Sequence, residues 1–188
     1  PNEFLAGKAD CGHPLIDVEL RLGEKDALQI KTPRLASAKW SNGRLKVIHD
    51  QDGWWESGDS ASLIKENNSH RLKIIGRLDT AIHSGGETIF PEKLESDLLR
   101  LIRENQIPIK YLIFLPVEDN LWGQRLIGIF RWEVELNKNE QQKQLTHVDN
   151  LLKSWSPSER PLSWHHCYEL APNLAGKWER TKWKKWLE

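Results

Sequence analysis

Gly76-Arg77-Leu78-Asp79-Thr80-Ala81-Ile82-His83-Ser84-Gly85-Gly86-Glu87-Thr88-Ile89-Phe90-Pro91-Glu92-Lys93-Leu94-Glu95 is the stretch on which the architecture turns. Its first residue closes a strand pattern, Arg71-Leu72-Lys73-Ile74-Ile75. Thr80–Ser84 reads as a short strand that stops at Gly85-Gly86, whose missing side chains let another backbone or a thin ligand come close. Pro91 suits the first position of a helix, where its absent N–H has no partner to lose. Leu94, Leu98, Leu101 and Ile102 then recur at helical spacing and form one apolar stripe. The pattern changes at residues 76–80 from strands alone to strands mixed with helices.

Toward the N-terminus, Leu15-Ile16-Asp17-Val18-Glu19-Leu20-Arg21-Leu22 alternates apolar and polar residues, as a half-buried strand does. Ala27–Ile30 and Leu45–Ile48 read as further strands, with turn chemistry at Asn42-Gly43 and Asp52-Gly53. Residues 1–76 therefore read as a β-rich, small-barrel-like segment. Toward the C-terminus, strands are predicted near Lys110–Val117 and Arg125–Val134, with a loop at Glu118–Gln124. The polar stretch Asn137–Gln144 leads to a helix at Leu145–Lys153, broken by Ser156-Pro157-Ser158. A strand at Trp164–Leu170 and a basic, Trp-bearing helix from Trp178 to Leu187 complete the chain. The order β-α-β-β-α-β predicts an α+β fold with two helices on one face of a small sheet. The expected organisation is a β-rich part over 1–76, a connection over 77–80 and a compact α+β unit over 81–188.

Composition narrows the function classes. The 188 residues carry 27 Lys+Arg against 27 Asp+Glu, so no global field draws the chain to nucleic acid or an anionic membrane. No apolar run approaches the roughly 18 residues of a membrane-spanning helix. The start, Pro1-Asn2-Glu3-Phe4, does not read as a secretory leader. Cys11 and Cys167 are too few for a disulfide framework or a thiolate metal site, and the cytoplasm is the expected compartment. There is no Met, even at position 1, which creates the expectation that the chain begins inside a longer protein or was processed. The ten Trp are expected to serve chiefly as core and half-buried anchors.

Three segments carry chemistry. In Ser57-Gly58-Asp59, glycine permits a tight backbone before a carboxylate that can accept from both hydroxyls of a vicinal diol; alone, the same residues read as a turn aspartate. The stretch Gly76–Glu95 is the second, although it carries neither the dinucleotide fingerprint nor the Gly-rich phosphate loop ending in Gly-Lys-Ser/Thr. In Asn173-Leu174-Ala175-Gly176-Lys177-Trp178-Glu179-Arg180, Lys177 is a mobile point charge suited to developing negative charge; alone, it reads as an exposed lysine before a helix. His165-His166-Cys167 could suggest a metal, but neighbouring side chains on a strand point to opposite faces. The stretch Lys177–Glu188 has five basic and two acidic residues, and it reads as a packed helix with a solvated basic face rather than a nucleic-acid or membrane site.

In this order and spacing, the three segments resemble the C-terminal third of the adenylate-forming (AMP-binding) superfamily. Its pattern runs Thr/Ser-Gly-Asp, then Gly-Arg-x-Asp…Gly-Gly-Glu-x-Ile-x-Pro-x-x-Leu/Ile-Glu, then Asn-x-x-Gly-Lys-x-x-Arg. The resemblance spans nearly the whole chain, from Gly12-His13-Pro14-Leu15 to the last helix. Within the superfamily, Phe4-Leu5-Ala6-Gly7, Leu121-Trp122-Gly123-Gln124 and Gly85-Gly86-Glu87 are most similar to o-succinylbenzoate–CoA ligases of menaquinone and phylloquinone biosynthesis.

The resemblance implies an ATP-dependent acid–CoA ligase that makes an acyl-adenylate and then, after a domain rotation, a thioester. It implies that Asp59 binds the ribose hydroxyls, that Arg77 assists there, and that Asp79 is the hinge. Lys177 would contact the carboxylate and α-phosphate oxygens during adenylation. Ser84, Gly85 and Gly86 would line the pantetheine tunnel. Many members carry a second acid after the hinge aspartate, where this chain has Thr80. ATP and Mg2+ would be held mainly by an N-terminal adenylation domain, the implied partner, with coenzyme A and a small carboxylic acid as co-substrates. No metal ligand is expected among these residues, and the chain by itself is expected to be inactive. Another acyl- or aryl-CoA synthetase, a ligase acting on a carrier protein, or a non-catalytic binding module keeping the fold are the alternatives.

Overall fold

The structure, a computed structural model, describes residues 10–67 and 69–188, so Phe4-Leu5-Ala6-Gly7 lies outside the described residues. The chain divides into two compact units, Pro1–Thr80 and Ala81–Glu188.

The first unit contains β1 (Glu19–Leu22), β2 (Ala27–Lys31), β3 (Ala38–Ser41), β4 (Arg44–Val47), β5 (Trp55–Glu66) and β6 (Ser69–Arg77). Strands β1, β2, β5 and β6 make one antiparallel sheet in that order. Strands β3 and β4 form a separate ribbon, turning at Asn42 and Gly43 with φ of 50° and 73°. Two positive φ angles give a turn whose twist matches that of the strands. The barrel-like expectation is corrected to an open sheet: among the described residues no closed barrel forms, because the β3–β4 ribbon pairs only with itself and leaves β1 and β6 as edges. The expected strand over 15–22 begins only at Glu19. Before it, Val18 N–H donates to Leu15 O at 2.9 Å, and Leu15 and Ile16 are exposed. The Arg71 guanidinium, only 4% exposed, is forked onto Asp10 at 2.6 and 2.9 Å, which offsets the cost of burying it.

The second unit contains β7 (Ile82–Ser84), β8 (Glu87–Ile89), α1 (Pro91–Glu104), β9 (Ile109–Asp119), β10 (Gly123–Trp132), α2 (Lys138–Leu151), β11 (Trp164–His166) and α3 (Arg180–Leu187). Strand β10 is central. Antiparallel β9 runs along one side; the other side meets β7 at Gly123 and parallel β11 at Gly128–Phe130. Alternation along β9 serves two cores. Leu112 and Phe114 join Leu94, Leu98 and Ile102 of α1 and Val148 of α2. Ile113 and Leu115 join Ile127, Ile129, Leu170 and Trp183 of α3. Helices α1 and α2 thus share one core, and α3 covers the other.

Helix α2 starts well before Leu145, inside the polar stretch read as a lead-in. Asn137 Oδ1 accepts from Glu140 N–H at 3.0 Å, and Asn137 N–H donates to the Glu140 carboxylate at 2.9 Å, a reciprocal cap. Strands β9 and β10 likewise extend into the expected loop. Asp119 Oδ1 closes their turn by accepting from Leu121 and Trp122 N–H, each at 2.9 Å. Among the described residues, no helix is long and apolar enough to cross a membrane.

Candidate functional site

Asp59 sits within β5, not on a free turn. Gly58 beside it has φ +81°, so the strand kinks there without breaking. A Cβ at Gly58 would lie 3.2 Å from Arg77 Nη2, so glycine makes room for the guanidinium. Asp59 pairs with Arg77 across β5 and β6, and Arg77 Nη1 reaches Asp59 Oδ1 at 3.3 Å. The stronger hold is on Asp79: Arg77 Nε and Nη2 donate to its two oxygens, each at 3.0 Å. That hydrogen bonding holds the Asp79 carboxyl below its usual range and raises the Arg77 guanidinium further. Thr80 Oγ1 donates to Arg77 O at 3.3 Å. Arg77 therefore joins Asp59 and Asp79 in one half-exposed cluster. Asp59 keeps an oxygen with no protein hydrogen bond among the described residues, which suits a diol.

In the second unit, Gly85-Gly86 is the two-residue turn of the β7–β8 hairpin, with φ of 58° and 85°. Ser84 before it is fully buried. Gly85 N–H donates to Trp122 O at 2.9 Å, and a Cβ at Gly85 would meet Trp122 Cε3 at 2.6 Å. Glycine is required there twice over, by torsion and by the indole lying against it. Trp122 also stacks under Arg125, 4.7 Å from the ring centroid. Sequence reasoning gave Trp122 no such role; its place in the tight β9–β10 turn was hidden by reading 118–124 as a loop. Glu87, after the glycines, accepts from Ser158 Oγ in a very short hydrogen bond, and Ser158 meets Ser156 Oγ at 2.7 Å.

Lys177 ends a self-tied loop. Asn173 Oδ1 accepts from Ala175 N–H at 3.0 Å and Lys177 N–H at 2.9 Å. Asn173 N–H donates to Lys177 O at 2.9 Å, and Gly176 N–H to Asn173 O at 2.8 Å, with Gly176 at φ +73°. The Lys177 side chain is exposed and has no ion pair among the described residues. Three residues on, Arg180 donates from Nη1 to Glu95 Oε1 and from Nη2 to Glu95 Oε2, both at 2.8 Å, and Nη2 lies 3.3 Å from Glu92. Burial pushes the Glu95 carboxyl above its usual range even beside this cation, and Glu95 with Glu92 holds Arg180 up against the pull of its own burial. Glu95 and Arg180 end the second and third motifs, yet nothing in their spacing marks a role for either or shows that they meet.

The two histidines make separate contacts. His165 Nε2 meets Ser163 Oγ at 2.8 Å, whereas the His166 ring packs on Phe130 and Tyr168. Burial, with Arg131, lowers the His166 pKa. In α3, Trp183 is buried under Lys182, and Lys184 and Lys185 are exposed.

No family model matches the chain. It is 31% identical to the 2-succinylbenzoate–CoA ligase of Salmonella typhimurium over 126 residues, 67% of this chain and 26% of that enzyme. It is 30% identical to the Escherichia coli 2-succinylbenzoate–CoA ligase over 129 residues, 69% of this chain and 26% of that one. The chain thus spans about a quarter of the length of these relatives. A feruloyl-CoA synthase from Amycolatopsis is 32% identical over 102 residues, 54% of this chain and 19% of that enzyme. Among solved structures, an E. coli MenE variant with bound OSB-AMS superposes with a TM-score of 0.68 at 26% identity, covering 97% of this chain and 36% of that one. The Bacillus subtilis o-succinylbenzoate CoA synthetase in complex with OSB-AMP shares the fold, with a TM-score of 0.73 at 21% identity over 97% of this chain and 37% of that one.

Proposed function

Because the chain belongs to the adenylate-forming (AMP-binding) superfamily and matches the C-terminal part of its enzymes, we propose that it serves an ATP-dependent ligase joining 2-succinylbenzoate to coenzyme A. The observation that carries the reading is Lys177: an exposed amine without an ion pair among the described residues, held on a tied loop. Such an amine is free to meet the carboxylate and α-phosphate oxygens as charge builds between them. Asp59 takes the ribose hydroxyls with Arg77 beside it, and Asp79 is the hinge, where a few torsions absorb the rotation between half-reactions. The Arg77–Asp79 contact would then be a latch that opens and closes with that rotation. Ser84, Gly85 and Gly86 border the pantetheine arm in the second half-reaction.

Among the described residues, no group of three His, Cys, Asp or Glu side chains could hold a metal ion, so no step is assigned to Mg2+ through these residues. We assign ATP and Mg2+ binding mainly to the N-terminal part of the longer enzyme, which would be this chain's partner. A cytoplasmic setting, where ATP and coenzyme A are at hand, goes with this reading.

The test is CoA-dependent AMP release by the full-length enzyme. With 2-succinylbenzoate it should exceed release with ferulate, benzoate or a fatty acid by at least about tenfold, or roughly 1.4 kcal/mol of transition-state discrimination. Faster turnover of ferulate would replace the acid named here, and absence of AMP with every acid would leave a non-catalytic binding module. Gly85→Ala separates the half-reactions from the other side. Its Cβ must displace Trp122 from a backbone already at φ +58°. We expect thioester formation to fall about tenfold or more while acyl-adenylate formation holds. Unchanged thioester formation would remove Gly85 from the tunnel.

A further inference from the structure

Strand β9 pairs with β10 and with no other strand among the described residues, so its outer edge needs partners. Phe114 stands opposite Gly128, and Gly128 N–H donates away from β9, to Ser163 O at 2.9 Å. The N–H and C=O of Phe114 therefore point outward. Side chains, not a strand, take both of them. Phe114 N–H donates to Glu95 Oε1 at 2.6 Å, and Phe114 O accepts from Arg180 Nη1 at 2.8 Å. One guanidinium thus ties helix α1, strand β9 and the residue that opens α3.

That knot lies immediately after the Lys177 loop. The loop is internally rigid through Asn173, but its own hydrogen bonds do not fix where it sits on the domain. Two contacts fix its exit: Trp178, edge-on to Tyr111 with centroids 5.8 Å apart, and the Arg180 fork. Leu174 at its crown is fully exposed and contributes no packing. We infer that Arg180, held by Glu95 and the Phe114 edge, is the positioning residue that sets the placement of the Lys177 amine for adenylation. This rests on the reading of Lys177 given above. Arg180 acts through the backbone of its loop and touches no substrate. Lysine cannot replace it: a point charge cannot serve two Glu95 oxygens and the Phe114 carbonyl from one rigid plane.

The experiment uses the full-length enzyme and measures the half-reactions separately: single-turnover acyl-adenylate formation, and thioester formation from supplied acyl-adenylate. A displacement of about 1 Å costs a catalytic group up to about a hundredfold. Arg180→Lys should therefore lower adenylation between about tenfold and a hundredfold and leave thioester formation within about twofold. On a Lys177→Ala background, Arg180→Lys should remove almost nothing more, because two residues acting through one amine are not additive. Glu92→Gln, at a partly exposed position, loosens the same guanidinium without baring a buried charge. It keeps the test alive if Arg180→Lys does not fold, and it should lower adenylation alone by a smaller factor. Equal loss of both half-reactions, or full additivity with Lys177→Ala, would make Arg180 a purely structural residue and overturn the inference. If Lys177→Ala itself spares adenylation, the proposed function fails first, a result distinct from either of those.

Discussion

Replacing Lys177 with alanine in the full-length enzyme should slow acyl-adenylate formation about a thousandfold while thioester formation from supplied acyl-adenylate persists. The size follows from electrostatics. A cation about 4 Å from a developing anion, at an effective dielectric near 20, is worth about 4 kcal/mol. Each 1.36 kcal/mol is about tenfold in rate, so about three decades depend on that charge. The division between half-reactions follows from the hinge proposed at Asp79: with a rotation there, an amine engaged before it has no reason to be engaged after it. Arginine should not restore the rate, because its broad planar head does not reproduce a compact ammonium. Rapid-quench assays of each half-reaction measure both quantities, and a comparable fall in both would refute the assignment.

Replacing Arg180 with alanine should destabilise the Ala81–Glu188 unit by about 3–5 kcal/mol, the usual cost of stripping one partner from a buried ion pair. Glu95 has a side chain only 8% exposed and would be left without its counter-ion, and Phe114 O would lose its donor. Burial already holds the Glu95 carboxyl high, and without the guanidinium it goes higher. The sign of the pH dependence follows. A carboxyl whose folded pKa lies above its unfolded value favours the folded state at pH below the unfolded value, and that stability is lost as pH rises through the folded pKa. The deficit of Arg180→Ala should therefore be largest at neutral pH and shrink toward about pH 4. Chemical denaturation at the two pH values checks this. A deficit under about 1 kcal/mol, the worth of an exposed pair, would mean that Arg180 is not the anchor described.

Much of the fold was legible because periodicity and burial agreed. Of the predicted α1 stripe, Leu94, Leu98 and Ile102 face the apolar core and Leu101 is left half-buried; the strand predicted near Lys110–Val117 is β9, whose two faces serve separate cores. Where polar chemistry decided structure, the reading stopped short. Residues 137–144 look like a loop by hydropathy, yet the Asn137–Glu140 pair is itself a helix-start pattern. Gly58 looked like a turn, but a single positive φ was absorbed inside a twelve-residue strand. At the candidate site, motif spacing singled out Asp59, Arg77, Asp79, Gly85 and Lys177 through resemblance. It did not reveal that Arg77 gathers both aspartates or that Trp122 covers Gly85. The Arg180–Glu95 contact joins residues 85 positions apart, and nothing local to either encodes the other.

The way Phe114 is covered has a consequence for solubility as well. A bare strand margin is a template on which a second molecule can stack and, by repetition, grow an insoluble fibre. Glu95 and Arg180 occupy that margin at its midpoint with charge, so an incoming chain finds neither a vacant donor nor a vacant acceptor there. The side chains that hold the loop steady also discourage self-assembly, and selection on either trait would preserve both.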